Sequence, residues 1–438
     1  MSRRLARAAL SFYRWGGFAL YPVVGPYLAL RAAKGKEERS RRRERYGIAS
    51  VERPAGPLVW FHAASVGETN AILPLIKEVR RRGIAVVLTT GTVTSAKIVQ
   101  DRLGSDVIHQ YVPLDLKPAV SRFLEYWHPD LAIMAESEIW PMTILELGRR
   151  QIPQVLVNGR ISDRSFPRWK RRHAIADALF ENFSLVIAQS EVDAERFRAL
   201  GALPVLVSGN LKVDTDGPPA DPVVLKTYLD QIPGRRSWAA ISTFEGEEAA
   251  AGNVHRVLKE RIPGLLTIIV PRHPERGDAV ADMLTARGLK VVRRTSGDPL
   301  TPETDIFLGD TIGEMGLYLR MTELAFVGRS LFAEGGQNPL EPAMLGCAVL
   351  SGPNVQNFRE AYQQLARSGS AKTVRDVEML AKGVNYLLTH DETRRQMIDA
   401  GQETVQEMRG ALRATVKGLE PYINPLTVKA RLHPRQTS

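Results

Sequence analysis

Three carboxylates occupy positions suited to acid–base chemistry. Glu68 lies in His62-Ala-Ala-Ser-Val-Gly-Glu68-Thr69, directly after the apolar run 58–62, on a small-residue turn containing Gly67. A carboxylate there could act as a general base that deprotonates a hydroxyl; equally, it could be a first-turn glutamate favoured by the helix dipole. Glu136 and Glu138 follow another apolar run, 131–135, in Ala135-Glu-Ser-Glu-Ile-Trp-Pro141. Two acids ending a buried strand are costly to desolvate, which favours a functional reading. Nearby in the pattern, Thr89-Thr-Gly-Thr-Val-Thr-Ser95 offers hydroxyls ahead of a helix, for phosphate or for capping. Asn158-Gly-Arg-Ile-Ser162 continues the polar rim.

A second set of residues suits an anionic ligand. Residues 326–345, FVGRSLFAEGGQNPLEPAML, read as a strand, a glycine-bearing loop and a helix opening at Asn338 and Pro339. Gly335 and Gly336 can take positive φ and let backbone approach a ligand closely. Asn338 is a good N-cap and Pro339 suits the first helical position, so the free N–H groups make an anion site. Glu341, in the first turn, either accepts hydrogen bonds from a ribose diol or merely complements the helix dipole. Ser242 and Thr243, in Ile241-Ser-Thr-Phe-Glu245, stand at another strand-to-helix junction. So do Arg272 and His273, in Val270-Pro-Arg-His-Pro-Glu-Arg276. Arg272 beside a helix start suits a phosphate; His273 is an acid, a second phosphate donor or a structural histidine.

Positioning these residues takes parallel βαβ units. Strand candidates at 58–62, 85–90, 107–112, 131–135, 154–157 and 185–188 alternate with helical stretches at 68–82, 95–103, 117–127, 142–150, 170–181 and 191–200. Strict alternation implies right-handed crossovers, with ligands gathered at the carboxyl ends of the strands. Residues 214–222, DTDGPPADP, combine three prolines with three aspartates and read as a linker. A second series follows, with strands near 238–242, 266–270, 290–292, 306–308, 324–327 and 348–350. A chain of 438 residues is too long for one ordinary domain. The expected fold is α/β: two Rossmann-like domains, 46–213 and 223–438, facing each other across a cleft.

Residues 1–45 hold twelve Arg and Lys against three Glu, a net +9 of the chain's +11. The basic character belongs to one end, and a nucleic-acid-binding body is not implied. Within that end, 15–30, WGGFALYPVVGPYLAL, falls short of the ~20 apolar residues that span a bilayer. Residues 1–45 therefore read as an anchor lying on a membrane or marginally spanning it, with the basic run on anionic lipid headgroups. A signal peptide and a buried helical hairpin are the alternatives. The single cysteine, Cys347, rules out a disulfide framework and points to a reducing compartment. The sequence contains no Walker A motif, GxGxxG, H-x₃-H or G-x-S-x-G. Asp-x-Asp occurs as Asp214-Thr-Asp216 inside the linker, so neither a metal site nor a cofactor is expected.

The blocks FHAASVGET, TTGTVTSAK, ESEIWP, NGRIS, SGNLKVD, STFEGEE, VPRHPER and GGQNPLEPA follow in this order from about residue 61 to 358. In that combination the chain resembles the 3-deoxy-D-manno-octulosonic acid (Kdo) transferases of lipopolysaccharide assembly, which have the two-Rossmann architecture called GT-B. The resemblance implies inverting, metal-independent transfer of Kdo from CMP-Kdo to a lipid A precursor of the lipid IVA type. It places the enzyme at the cytoplasmic face of the inner membrane, on anionic lipids. It also implies that Glu68 is the catalytic base, that Glu136 and Glu138 form the acid loop, and that Lys212, Ser242, Thr243, Arg272 and Glu341 serve the donor. One departure stands out: the family usually has glycine where Arg329 follows Gly328. A GT-B transferase using another nucleotide sugar, and a non-enzymatic membrane-tethered nucleotide-sugar-binding protein, are the rival readings.

Overall fold

The computed structural model describes residues 24–33, 35–215 and 217–432. The chain forms two compact units, one from the segments up to Thr215 and from Arg409 onward, the other from Asp216–Met408.

In the first unit seven strands run parallel: β1 (Leu58–Ala63), β2 (Ala85–Thr90), β3 (Ile108–Tyr111), β4 (Leu131–Ala135), β5 (Gln154–Gly159), β6 (Leu185–Ala188) and β7 (Val205–Val207). Their order is β3-β2-β1-β4-β5-β6-β7. Every residue of β1, β2, β4, β5 and β6 is buried, as a parallel sheet covered on both faces requires. Successive side chains point to opposite faces. Trp60 thus joins Phe123, Trp127 and Phe180 in one core, and Phe61 joins Leu75, Ile76 and Ile133 in the other.

The second unit repeats the plan with β8 (Ser237–Thr243), β9 (Leu266–Pro271), β10 (Val291–Arg293), β11 (Ile306–Leu308), β12 (Leu324–Val327), β13 (Ala348–Ser351) and β14 (Ala371–Thr373), ordered β10-β11-β9-β8-β12-β13-β14. In each sheet the strand order reverses next to the first strand, between β1 and β4 and between β8 and β12. That reversal opens a crevice at the strands' carboxyl ends.

The C-terminal boundary expected from the sequence is corrected. Residues 409–432 belong with the first unit, although contiguity placed them in the second domain. The helix Ala411–Leu432 buries Ala411, Leu419, Ile423 and Leu426 in the same core as Phe61 and Ile76. Burying each Leu or Ile stabilises by about 1.5–3 kcal/mol. Asp214, read as linker, caps this helix: its carboxylate accepts from Gly410 N at 2.7 Å and from Leu412 N. Asp221 does the same for the helix Pro222–Gln231.

The N-terminal expectation is corrected in part. Residues 15–23 of the apolar run lie outside the described residues, and no helix among those described is long and apolar enough to cross a membrane. The basic run does not simply lie on a surface, because Arg39–Tyr46 forms a 3-10 helix against β3. Buried Arg45 pairs with Glu37 at 3.0 Å and donates to Gly91 O and Val112 O. Arg41 pairs with Glu44, whose other oxygen accepts from Tyr111 N at 2.7 Å. Both guanidiniums lie over the Tyr111 ring, and burial, reinforced by their charges, holds the His109 imidazole down to about 3. A chain beginning at Gly35 keeps Glu37, Glu44 and Arg45, gives up only the Arg31–Glu37 contact and buried Leu28, and should melt above a chain that lacks them. One beginning at Gly47 loses Glu37, Glu44 and Arg45 and should lose roughly 2 kcal/mol or more, read by thermal unfolding of both. Equal melting of the two chains would show that these ion pairs are incidental.

Candidate active site

The loops after β1, β4 and β5 bring the first unit's chemistry together at its strand-order reversal. Ser65 caps the helix Val66–Arg81, accepting from Glu68 N, and this turns Glu68 back over the end of β1. The Glu68 carboxylate accepts from Ala64 N at 2.7 Å and from the Ser65 hydroxyl at 2.8 Å. Glu68 therefore performs the local capping that the sequence left open as an alternative. Burial nevertheless pushes its carboxyl above the usual range, and the charges of Glu138 and Glu136 push it further.

Glu136 ends β4 at φ 53° and Asn158, on β5, sits at φ 51°, both in a left-handed region that non-glycine residues seldom adopt. The Asn158 amide donates to Glu136 Oε1 at 3.3 Å and accepts from Leu211 N at 3.0 Å. It thereby ties the acid loop to the turn Leu211–Val213, whose Lys212 Nζ lies 2.5 Å from Glu136 Oε1. The resemblance grouped Lys212 with the donor residues; the structure places it in the first unit, paired with the acid loop.

Glu138 accepts from Trp140 Nε1 at 2.5 Å and lies 3.3 Å from Nε2 of His62. His62 is fully buried in β1, with Nδ1 at 3.1 Å from Thr89 O and 2.9 Å from Thr89 Oγ1. Thr89 O can only accept while Thr89 Oγ1 can donate or accept, so the Thr89 contacts suit either imidazole tautomer, and Nε2 faces the Glu138 carboxylate. The sequence reading named His62 and Asn158 only as members of their loops, Asn158 on the polar rim, and gave neither a role of its own. The available signal was a polar side chain inside an otherwise apolar, wholly buried strand.

If Glu68 is the base, kcat/KM must fall as pH drops through its raised pKa, because only the carboxylate accepts a proton. The same shift means that the folded state favours protonated Glu68, so its ionisation as pH rises works against stability. Glu138→Gln removes the neighbouring charge with the larger effect on Glu68 and should move the acidic limb of kcat/KM to lower pH, whatever it does to kcat. An unmoved limb in the pH profile would detach Glu68 from that titration.

In the second unit the donor candidates gather at the reversal between β8 and β12. Ser242 sits at φ 52° at the end of β8. Thr243 is buried and donates to Glu248 Oε1, which Arg276 approaches to 2.7 Å. Burial raises the Glu248 carboxyl against the pull of Arg276. Arg272, at the end of β9, has an exposed side chain and a backbone N–H bound to Thr243 O. The half-exposed His273 ring meets Phe244 edge-on at 5.5 Å, with Nδ1 3.6 Å from Glu275.

Gly335 and Gly336 take φ 126° and 70°, and the close approach they permit is to the 354–357 segment. A Cβ on Gly336 would stand 2.9 Å from Val355 Cα. The helix expected to open at Asn338 and Pro339 spans only Leu340–Met344. Pro339 is the cap residue by backbone, and Asn338 contributes its side chain, accepting from Leu340 N and donating to Glu341 Oε1.

Buried Glu247, which the sequence reading passed over, organises this region. Its carboxylate accepts from Phe244 N, Arg329 N, Ser330 N and Leu331 N at 2.9, 2.7, 3.0 and 3.1 Å. Its signal was the acid pair Glu247-Glu248 opening the buried helix Glu247–Leu258. Among the described residues no three His, Cys, Asp or Glu side chains are grouped to hold a metal ion.

The comparisons with known proteins agree with this layout. A family model described as 3-Deoxy-D-manno-octulosonic-acid transferase (kdotransferase) matches residues 40–215. The 3-deoxy-D-manno-octulosonic acid transferase of Haemophilus influenzae is 34% identical over 415 residues, covering 92% of this chain and 96% of its own. That of Bordetella pertussis is 34% identical over 86% of this chain and 91% of its own. A crystal structure of a glycosyltransferase from Rickettsia africae is 12% identical and shares the fold, with a TM-score of 0.59 over 84% of this chain and 99% of that one. Sequence blocks, sheet order and full-length relatives converge, and the chain belongs to the 3-deoxy-D-manno-octulosonic acid transferase family of glycosyltransferases.

Proposed function

We propose that the protein transfers Kdo from CMP-Kdo to a hydroxyl of a lipid A precursor of the lipid IVA type, with inversion and without a metal ion. The observation that carries this reading is the Glu68 carboxylate, raised by burial and by Glu138 and Glu136, at the strand-order reversal of the first unit. A carboxylate poised above its usual range is a better match for removing a hydroxyl proton near neutral pH.

In this reading Glu68 takes the acceptor proton as the acceptor oxygen bonds to the anomeric carbon. The bond from that carbon to the phosphate oxygen breaks, and CMP leaves with its electron pair. Lys212, paired with Glu136, keeps the acid loop from repelling an anionic acceptor. In the second unit Arg272 and His273 meet the CMP phosphate, Ser242, Thr243 and the Gly335–Gly336 backbone shape the nucleotide site, and Glu341, steadied by Asn338, accepts the ribose hydroxyls. The +9 concentrated in residues 1–45 supports work on anionic lipid at the cytoplasmic face of the inner membrane.

The test is incubation of the purified protein with CMP-Kdo and tetra-acylated lipid A precursor, with and without EDTA, followed by mass spectrometry. Product heavier by Kdo, formed equally in both, is expected. No product with CMP-Kdo, but product with another nucleotide sugar, would replace the donor; activity lost in EDTA and restored by Mg²⁺ would replace the metal-free account.

A further inference from the structure

Arg329 combines three features that local structure does not explain. It follows β12 at φ 54°, a conformation that strains any residue with a Cβ. Its backbone is fixed there, because its N–H is held by Glu247 and its carbonyl accepts from Gly336 N at 2.8 Å. The side chain then reaches over the Phe244 ring, with the guanidinium carbon 5.0 Å from the centroid. His273 meets the edge of the same ring, and Arg272 precedes His273 at the end of β9. Phe244 is thus a platform with basic side chains gathered about it, at the reversal where a doubly wound sheet binds its ligand.

Three carboxylates near this ring have other partners, while Glu245 and Glu334, which flank Phe244 and Gly335, are exposed. Glu247 is committed to four backbone N–H groups, Glu248 to Arg276 and Thr243, and Glu275 faces His273. No ion pair joins any of them to the Arg329 guanidinium. An aromatic face holds a guanidinium flat with its N–H edge outward, the presentation that suits a bidentate planar anion. A phosphate is already matched by Arg272.

We propose that Arg329 is a specificity-determining residue that binds the carboxylate of the sugar acid on the nucleotide donor, separately from the phosphate. This rests on the CMP-linked sugar acid proposed above as donor. The arrangement favours a donor whose sugar carries a carboxylate and gives a neutral sugar nothing in return for desolvating the guanidinium.

The experiment compares wild type, Arg329→Gly and Arg329→Lys for KM with CMP-Kdo, for inhibition by CMP, and for thermal stability. Glycine fits φ 54° without strain, so the Arg329→Gly protein should melt no lower than wild type. Its KM for CMP-Kdo should rise about 10- to 100-fold, the loss expected of a charge-assisted bidentate contact, while inhibition by CMP stays within about twofold. Arg329→Lys keeps the charge without the planar fork and should fall between the two. An unchanged KM in Arg329→Gly overturns the assignment. So does parallel weakening of CMP and CMP-Kdo, which would put the guanidinium on the phosphate, and so does a lowered melting temperature with weakened CMP, which would make the residue structural. Wild type that ignores CMP-Kdo altogether would instead remove the donor reading and leave these comparisons to be run with the donor it does accept.

Discussion

Glu68→Gln should lower kcat by ~10²–10⁴, the range lost when a positioned general base is removed. The substitution is informative because Glu68 has two jobs in the structure. Its oxygens cap the local turn, accepting from Ala64 N and the Ser65 hydroxyl, and the raised carboxyl is ready to take a proton. Glutamine keeps an oxygen for the Ala64 N–H and loses only the basicity. Stability and CMP binding should therefore stay near wild type while turnover collapses. Steady-state kinetics beside a thermal melt separate the two jobs: turnover near wild type with an unchanged melt would leave Glu68 as a cap only.

Glu247→Ala should strongly destabilise the second unit. Two of the four N–H groups on Glu247 belong to the buried residues Ser330 and Leu331. A buried donor left without a partner costs about 1–3 kcal/mol, so these two alone cost about 2–6 kcal/mol. That is a large share of the 5–15 kcal/mol that holds a typical domain folded. CMP binding should be lost with it, since Phe244 N and Arg329 N hang on the same carboxylate. Urea unfolding followed by CMP titration gives both numbers. Stability within about 1 kcal/mol of wild type would mean that solvent replaces the carboxylate.

Strands buried along their whole length were legible because parallel sheets demand continuous apolar runs: 85–90, 131–135, 185–188, 306–308 and 324–327 coincide with β2, β4, β6, β11 and β12. The edge strands β7 and β14 were not. Each has three residues, and in Ala371–Thr373 only the first is buried, so no period can show. The expected helix 170–181 is two helices, Phe166–Arg171 and His173–Phe180, broken at Arg172 with φ −110° and ψ 38°.

Among site residues, those at strand ends were readable from position alone. Glu247, His62 and Asn158 were not, because their importance lies in which distant backbone or side chain they meet. Glu247 joins Phe244 to residues more than eighty positions away, and no local pattern encodes that contact. The return of the C-terminal helix was hidden for the same reason: its apolar stripe is visible, but its partner is decided by tertiary packing.

That return sets an order of assembly during synthesis. The segment Asp216–Met408 is continuous, so the second unit has its whole chain before the first does. The unit begun first waits while those residues emerge, on the order of ten to forty seconds at typical translation rates. Until Leu419, Ile423 and Leu426 arrive, the core they share with Ile76 and Val79 stays open to water on that side. Ile76 and Val79 lie on the helix Val66–Arg81, against which the last helix packs and whose first turn carries Glu68. A chain that stalls or is cut before its final helix can complete the second unit while the one that carries Glu68 lacks its brace.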